Sequence, residues 1–242
     1  MNPADALTIF VMGMHRSGTS MVMNLLRACG IYLGPSREMV PPDPSNPLGH
    51  WELSELPKLN EAIFKIWHGS WDRPPLLPAD WTEHPALKPI EKKAGALLRQ
   101  KFKNLAVWGL KDPRFSFTFP FWKRFSSKAK VIVCLRHPME VAKSLAKRNG
   151  LTIGQGLDLC RRYTEAVFQN THGVERMVVR YEDYFRAPEE EIHRLLDFVS
   201  LQVSDHLIAE AKKHIDPALR HHVSQEEAEQ WYQEYAGMGV RR

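Results

Sequence analysis

An apolar run that stops at a glycine-bearing turn and resumes as a helix leaves few folds open to a chain. Here Leu7–Met12 (LTIFVM) is continuously apolar, as expected of a strand buried on both faces of a parallel sheet. The turn GMHRSGTS, Gly13 to Ser20, follows it, and Ser20–Ala28 places apolar residues at helical spacing until Gly30 stops the helix. Strand, glycine loop and helix N-terminus together favour an anion, because unpaired backbone N–H groups converge there. Gly13 and Gly18 have the separation of the nucleotide-cradling pattern G-x-x-x-x-G-K-[ST], but Thr19 stands where the lysine belongs. Arg16, Ser17, Thr19 and Ser20 add a fixed charge and hydroxyl donors. Such a loop holds one phosphate well and lacks the usual reach along a triphosphate.

Three further strand candidates, 106–110, 130–135 and 177–180, are each separated from the next by helical pattern. An alternating order of this kind predicts α/β architecture around a parallel sheet, in one domain spanning residues 1–242. Helices are expected over 53–67 and 84–102. The stretch PEEEIHRLLDFVSL is the clearest helix, with Pro188 in its first turn, glutamates at its positive end and one apolar face. Residues 34–50 hold five prolines and predict a long irregular loop, and GSWDRPPLLPADW predicts a second.

In an open parallel sheet, ligands sit outside the carboxyl ends of the strands. Those ends carry cations: His15 and Arg16, Lys111-Asp112-Pro113-Arg114, Arg136-His137, and Arg180-Tyr181. Asp112 reads as the partner of a nearby cation. The helix MEVAKSLAKR sets Ser144 about two turns past Arg136, so the pair can pinch a second anion. A Mg-dependent phosphoryl transfer needs an acidic metal ligand near a strand end, and no clear one is offered: 130–135 ends in Arg136 and 106–110 in Lys111. A nucleotide with phosphates at separate 5′ and 3′ positions accounts for both clamps. The net charge of +5 suits an anionic ligand, and no basic block interleaved with aromatics points to nucleic acid. Cys29, Cys134 and Cys160 read as reduced core residues. The N-terminus has no basic n-region and its apolar run is too short for a membrane span, so a cytoplasmic setting is expected.

These segments resemble those of the sulfotransferases that use 3′-phosphoadenosine 5′-phosphosulfate (PAPS). GMHRSGTS is similar to the family's 5′-phosphosulfate loop, and LRHPMEVAKSL to its 3′-phosphate segment, with Arg136 and Ser144 at the family's separation. RYEDYFRAPEEEIHRLLDFVSL adds a third match in the family's order. The arginine loop and the LKDPR segment look closer to tyrosylprotein sulfotransferases and to bacterial relatives than to the cytosolic small-molecule enzymes. The resemblance implies a P-loop-NTPase-like three-layer fold, a central parallel sheet flanked by helices, and sulfuryl transfer releasing PAP without a required metal. It implies a small-molecule, carbohydrate or peptide acceptor and says nothing of oligomeric state.

The resemblance also implies the site residues. Arg16 and Lys111 stabilise the leaving phosphate and the sulfuryl group; Ser17, Gly18, Thr19 and Ser20 hold the 5′-phosphate. Arg136 and Ser144 hold the 3′-phosphate, with Arg220 a candidate from the C-terminal side, and Tyr181 and His15 lie near the nucleotide. Three residues compete for the general base: Glu52, favoured for the Asn-Pro-x-Gly stretch shortly before it, Glu38 and His50. His221-His222 reads as solvated surface, and the tryptophans as packing, with the loop from Gly69 to Trp81 able to border an acceptor pocket. Two rival readings stay open: a Mg-dependent kinase or NTPase with a degenerate loop, and a PAP-binding module without a base.

Overall fold

The computed structural model describes residues 5–220, 222–224, 228 and 230–241; His221 lies outside the described residues. Its sheet has the order β2-β1-β3-β4-β5. Strands β1 (Leu7–Gly13), β2 (Val107–Lys111), β3 (Lys128–Leu135) and β4 (Arg176–Arg180) are mutually parallel, and the two-residue β5 (Val240–Arg241) adds an antiparallel edge. The four expected strands therefore form as a parallel set. The antiparallel fifth departs from the all-parallel expectation, and two residues carry no period-2 pattern from which to foresee it.

Both faces of this sheet are covered. Alternate residues of β1 show how: Ile9 and Val11 pack against α1 (Thr19–Ala28), while Phe10 and Met12 join the cluster on the opposite face. That opposite layer contains α2 (Glu55–Ile66), α3 (Lys88–Lys101), α4 (Phe115–Lys123), α5 (Pro138–Asn149) and α6 (Ile153–Asn170). On the α1 side lie α8 (Pro188–Phe198), whose Ile192, Leu195 and Leu196 are buried, and α9 (Asp205–Lys212); the single-turn α7 (Asp183–Arg186) precedes them. Helix α10 (Gln230–Ala236) puts Tyr232 into the larger cluster. Helices expected over 53–67 and 84–102 begin later, at Glu55 and Lys88, the second after a 3₁₀ turn at Pro85–Leu87.

Two loops complete the frame around the sheet's carboxyl edge. The proline-rich loop folds back on itself through a bridge between Met39 and Leu53, so its far end returns beside the glycine turn. The tryptophan loop is tied down by α6, where Tyr163 donates to the Trp71 carbonyl at 2.7 Å and Arg162 to that of Pro74 at 2.6 Å. Cys29, Cys134 and Cys160 are buried and not joined in a disulfide.

Candidate functional site

The glycine turn is shaped by close approach. Gly13 has φ 142°, and a Cβ there would run into the Cys134 carbonyl oxygen of β3. Gly18 has φ 95°, and a Cβ would come within 2.5 Å of Tyr181 Cδ2. Between them, Arg16 is held at φ 71°, a conformation uncommon without glycine. Such strain, at the start of a helix and at a strand end, is characteristic of a loop whose backbone N–H groups are turned toward a ligand. The Ser17 hydroxyl is buried without a partner among the described residues.

Four cations converge on the cleft above this turn: Arg16, Lys111, Arg136 and Arg148. Arg16 donates through Nε to Ser144 Oγ at 2.9 Å. Burial first, and then the Arg148 and Arg136 guanidinia, lower its pKa to about 10. Like charges gathered this closely disfavour one another unless an anion joins them. Arg136 lies 4.4 Å over the Tyr181 ring and donates to Glu140 at 2.8 Å. Tyr181 thus serves as a floor beneath Arg136 and as the wall that Gly18 must meet; burial raises its pKa.

The second centre of the cleft is a buried ion pair. Lys111 Nζ, at the end of β2, donates to Glu52 Oε1 at 2.5 Å and to Ser20 Oγ at 3.1 Å. Ser20 in turn reaches the His50 carbonyl at 3.3 Å and accepts from Asn46 Nδ2 at 3.1 Å. The loop residues 45–50 and Glu52 are thereby pinned to the glycine turn. His50 borders the same cleft and pairs through Nε2 with Asp43 at 2.9 Å. Glu38 is not brought there. Its carboxylate pairs with Lys101 of α3 at 2.7 Å, because the bridged backbone that carries Glu52 inward turns Glu38 toward that helix.

His15 borders the cleft beneath the tryptophan loop, its ring 4.8 Å from that of Trp71 and 5.9 Å from that of Tyr163. Its Nε2 is buried and has no partner among the described residues. Burial, followed by Arg114, Arg148, Lys111 and Arg16, holds its pKa well below the ordinary value, so the imidazole is neutral. Asp112 and Arg114 stand behind the site. Asp112 accepts from Arg114 at 3.0 Å and from Asn60 at 3.0 Å, and Arg114 also reaches Glu61 at 2.6 Å.

Several contributors carried no isolated motif. Arg148 is one helical turn beyond Ser144 in α5, so an i, i+4 reading of that helix identifies it, and Glu140 lies in the helix's first turn, four residues after Arg136. His214, Asp216 and Leu219 reach the cleft from the segment after α9, and Phe185 from α7; no sequence signal links these to the glycine turn. Trp67 and Trp81 pack edge to face, 5.9 Å between ring centroids, and Trp108 is fully buried. The arrangement can hold an anion over the helix N-terminus, a second beside Arg136, and a reacting group between Lys111, Glu52 and His15.

The fold has known counterparts. A family model described as "Sulfotransferase family" matches residues 8–205. The sulfotransferase domain of the Synechococcus PCC 7002 olefin synthase superposes with a TM-score of 0.58 at 18% identity, over 96% of this chain and 94% of that one. The sulfotransferase domain of the curacin biosynthetic pathway gives 0.55 at 15% identity, over 96% of each chain. A Mycobacterium avium sulfotransferase gives 0.51 at 15% identity, over 97% of this chain and 73% of that one. A comparison with curated proteins found no match.

Proposed function

Since this chain belongs to the sulfotransferase family, we propose that it transfers the sulfuryl group of PAPS to an acceptor hydroxyl or amine and releases PAP. The observation that carries this reading is the convergence of Arg16, Arg136 and Arg148 over a lysine-free glycine turn, with Arg16 destabilised as a cation until an anion arrives. The unpartnered Ser17 hydroxyl supports the same reading. In it, the backbone of 17–20 with the Ser17, Thr19 and Ser20 hydroxyls holds the 5′-phosphate. Arg136, with Ser144, Arg148 and Arg220, holds the 3′-phosphate, and Tyr181 flanks the nucleotide.

Transfer breaks the bond between the sulfuryl sulfur and the bridging oxygen of PAPS and forms one from sulfur to the acceptor oxygen or nitrogen. Charge grows on the bridging oxygen while the acceptor loses a proton. Arg16 and Lys111 supply fixed positive charge for the first event, the kind of preorganised stabilisation that contributes most where water is excluded. Glu52 takes the acceptor proton, and His15, kept neutral, faces the same space. His50 with its Asp43 partner is the second candidate base, favoured by their 2.9 Å contact at the mouth of the cleft. The acceptor is a small molecule, a carbohydrate or a peptide. A cytoplasmic setting, with Cys29, Cys134 and Cys160 buried and outside any disulfide, is part of this reading. Residues 1–242 act as one domain.

The test is a thermal-shift titration with PAP, ATP, and ATP with magnesium, on the wild type and Arg136→Ala. A ligand bound only by the folded state raises stability by RT ln(1 + [L]/Kd), so saturation at about 100 Kd adds about 2.7 kcal/mol. Stabilisation by PAP, indifferent to magnesium and lost in Arg136→Ala, is the expected result. Stabilisation only by ATP with magnesium would restore the kinase reading.

A further inference from the structure

Glu140 stands in the first turn of α5, is 1% exposed, and is shared by groups from distant parts of the chain. It accepts from Arg136 Nε at 2.8 Å, from Arg220 Nη2 at 2.9 Å and from the Ser224 backbone N–H at 3.1 Å. A carboxylate buried this deeply is costly to ionise unless it is paired and hydrogen-bonded. Burial does push its pKa up, but donation from Arg220 and Arg136 outweighs that and holds it below the ordinary carboxylate value.

Each arginine spends one edge on this carboxylate. Apart from its stacking on Tyr181, the remaining hydrogen bonds of Arg136 among the described residues are long, Nη1 to the Arg16 carbonyl at 3.3 Å and Nη2 to that of His222 at 3.2 Å. Both exceed the 2.7–2.9 Å typical of charge-assisted bonds to an oxyanion. Arg220 retains a buried Nε without a partner among the described residues, and its guanidinium lies 5.5 Å from the Phe185 ring, whose residue borders the cleft. A buried guanidinium donor left unsatisfied calls for a ligand. One carboxylate between two guanidinia also leaves a net positive charge, so an arriving phosphate is still attracted.

We propose that Glu140 is a positioning residue for the nucleotide. It fixes Arg136 and Arg220 at one separation, as a two-arginine grip on the 3′-phosphate, and through Ser224 holds the segment after α9 against the cleft. This rests on the PAP reading given above, and it adds a group that never touches the ligand yet sets its affinity. Without Glu140 the two guanidinia repel, and the Ser224 N–H loses its acceptor.

The experiment is calorimetric titration of wild type, Glu140→Gln and Arg220→Gln with PAP and with AMP, which lacks the 3′-phosphate. Wild type should prefer PAP, and both variants should reduce that preference on the order of 10-fold while binding AMP as before, the scale of one charged hydrogen bond. In turnover, Glu140→Gln should raise KM for PAPS by a similar factor and leave kcat at saturation nearly unchanged. If wild type shows no preference for PAP over AMP, the PAP reading itself falls and this inference with it. If wild type prefers PAP and Glu140→Gln keeps or increases the preference, or weakens both ligands equally, only the role of Glu140 is overturned. Should Glu140→Gln fail to fold, an unchanged preference in Arg220→Gln overturns it as well.

Discussion

Glu52 and Lys111 carry the sharpest consequences at the scale of single residues. Glu52→Gln should lower kcat by about 100-fold or more with the PAP affinity retained, the usual size of a lost general base, measured in single turnover with bound PAPS. Lys111→Ala should cost on the order of 100-fold or more. Glu38→Gln should leave kcat near the wild-type value, since that carboxylate pairs with Lys101 away from the cleft. Gly18→Ala should abolish PAP binding and destabilise by roughly 1–3 kcal/mol, because it adds left-handed strain to a clash with Tyr181. A denaturant titration beside a binding isotherm separates these two losses. The strand-end cations were legible in sequence because a buried strand leaves its first polar residue at the sheet edge. Neither the direction of Glu38 nor the sharing of Glu140 was legible, since each depends on a partner more than 60 positions away.

Among the elements, α4 and α2 show how the lysine end of the site is kept rigid. Pro120 lies inside α4 and removes the N–H that would bond the Ser116 carbonyl. Asn170, at the end of α6, donates to that carbonyl instead at 2.8 Å. Asn170→Leu should therefore destabilise by about 1–3 kcal/mol, the penalty of a buried unsatisfied acceptor, read as a lower denaturation midpoint. Asn60 of α2 is a second tie. It donates to Asp112 and accepts from Thr118 at 2.8 Å and Trp122 at 2.7 Å, joining α2, α4 and the turn after β2. The sequence makes α1, α5 and α8 plain through spacing and caps. It hides α4, whose nearly uniform apolar composition with an internal proline carries neither a helical stripe nor a helix-favouring interior.

For the whole molecule, the pH response follows from groups that folding buries. His15 is held neutral inside, so the unfolded chain binds a proton near pH 6.5 that the folded chain refuses. The sign is that of a depressed folded pKa: the stability is present above about pH 6.5 and is lost as pH falls, by up to about 1.4 kcal/mol per pH unit. His15→Phe should flatten that slope between pH 6.5 and 5, measured by urea unfolding at each pH. Glu140 adds to acid lability in the same direction at lower pH, its contribution lost as pH falls through its depressed folded value. Saturating PAP should steepen neither slope at fixed occupancy if His15 stays neutral in the complex.

The sequence by itself determined the strand–turn–helix, the four parallel strands, the cationic strand ends and the candidate clamps Arg16, Arg136 and Ser144, because each is a local pattern of polarity and backbone freedom. Tertiary structure alone decided which carboxylate reaches the reacting space, and that Lys111 holds it. It also decided that Glu140 ties Arg220 and Ser224, from the segment after α9, to Arg136. Those outcomes depend on where two loops and a C-terminal segment fold back, and such long-range contacts leave no periodic trace in the order of residues.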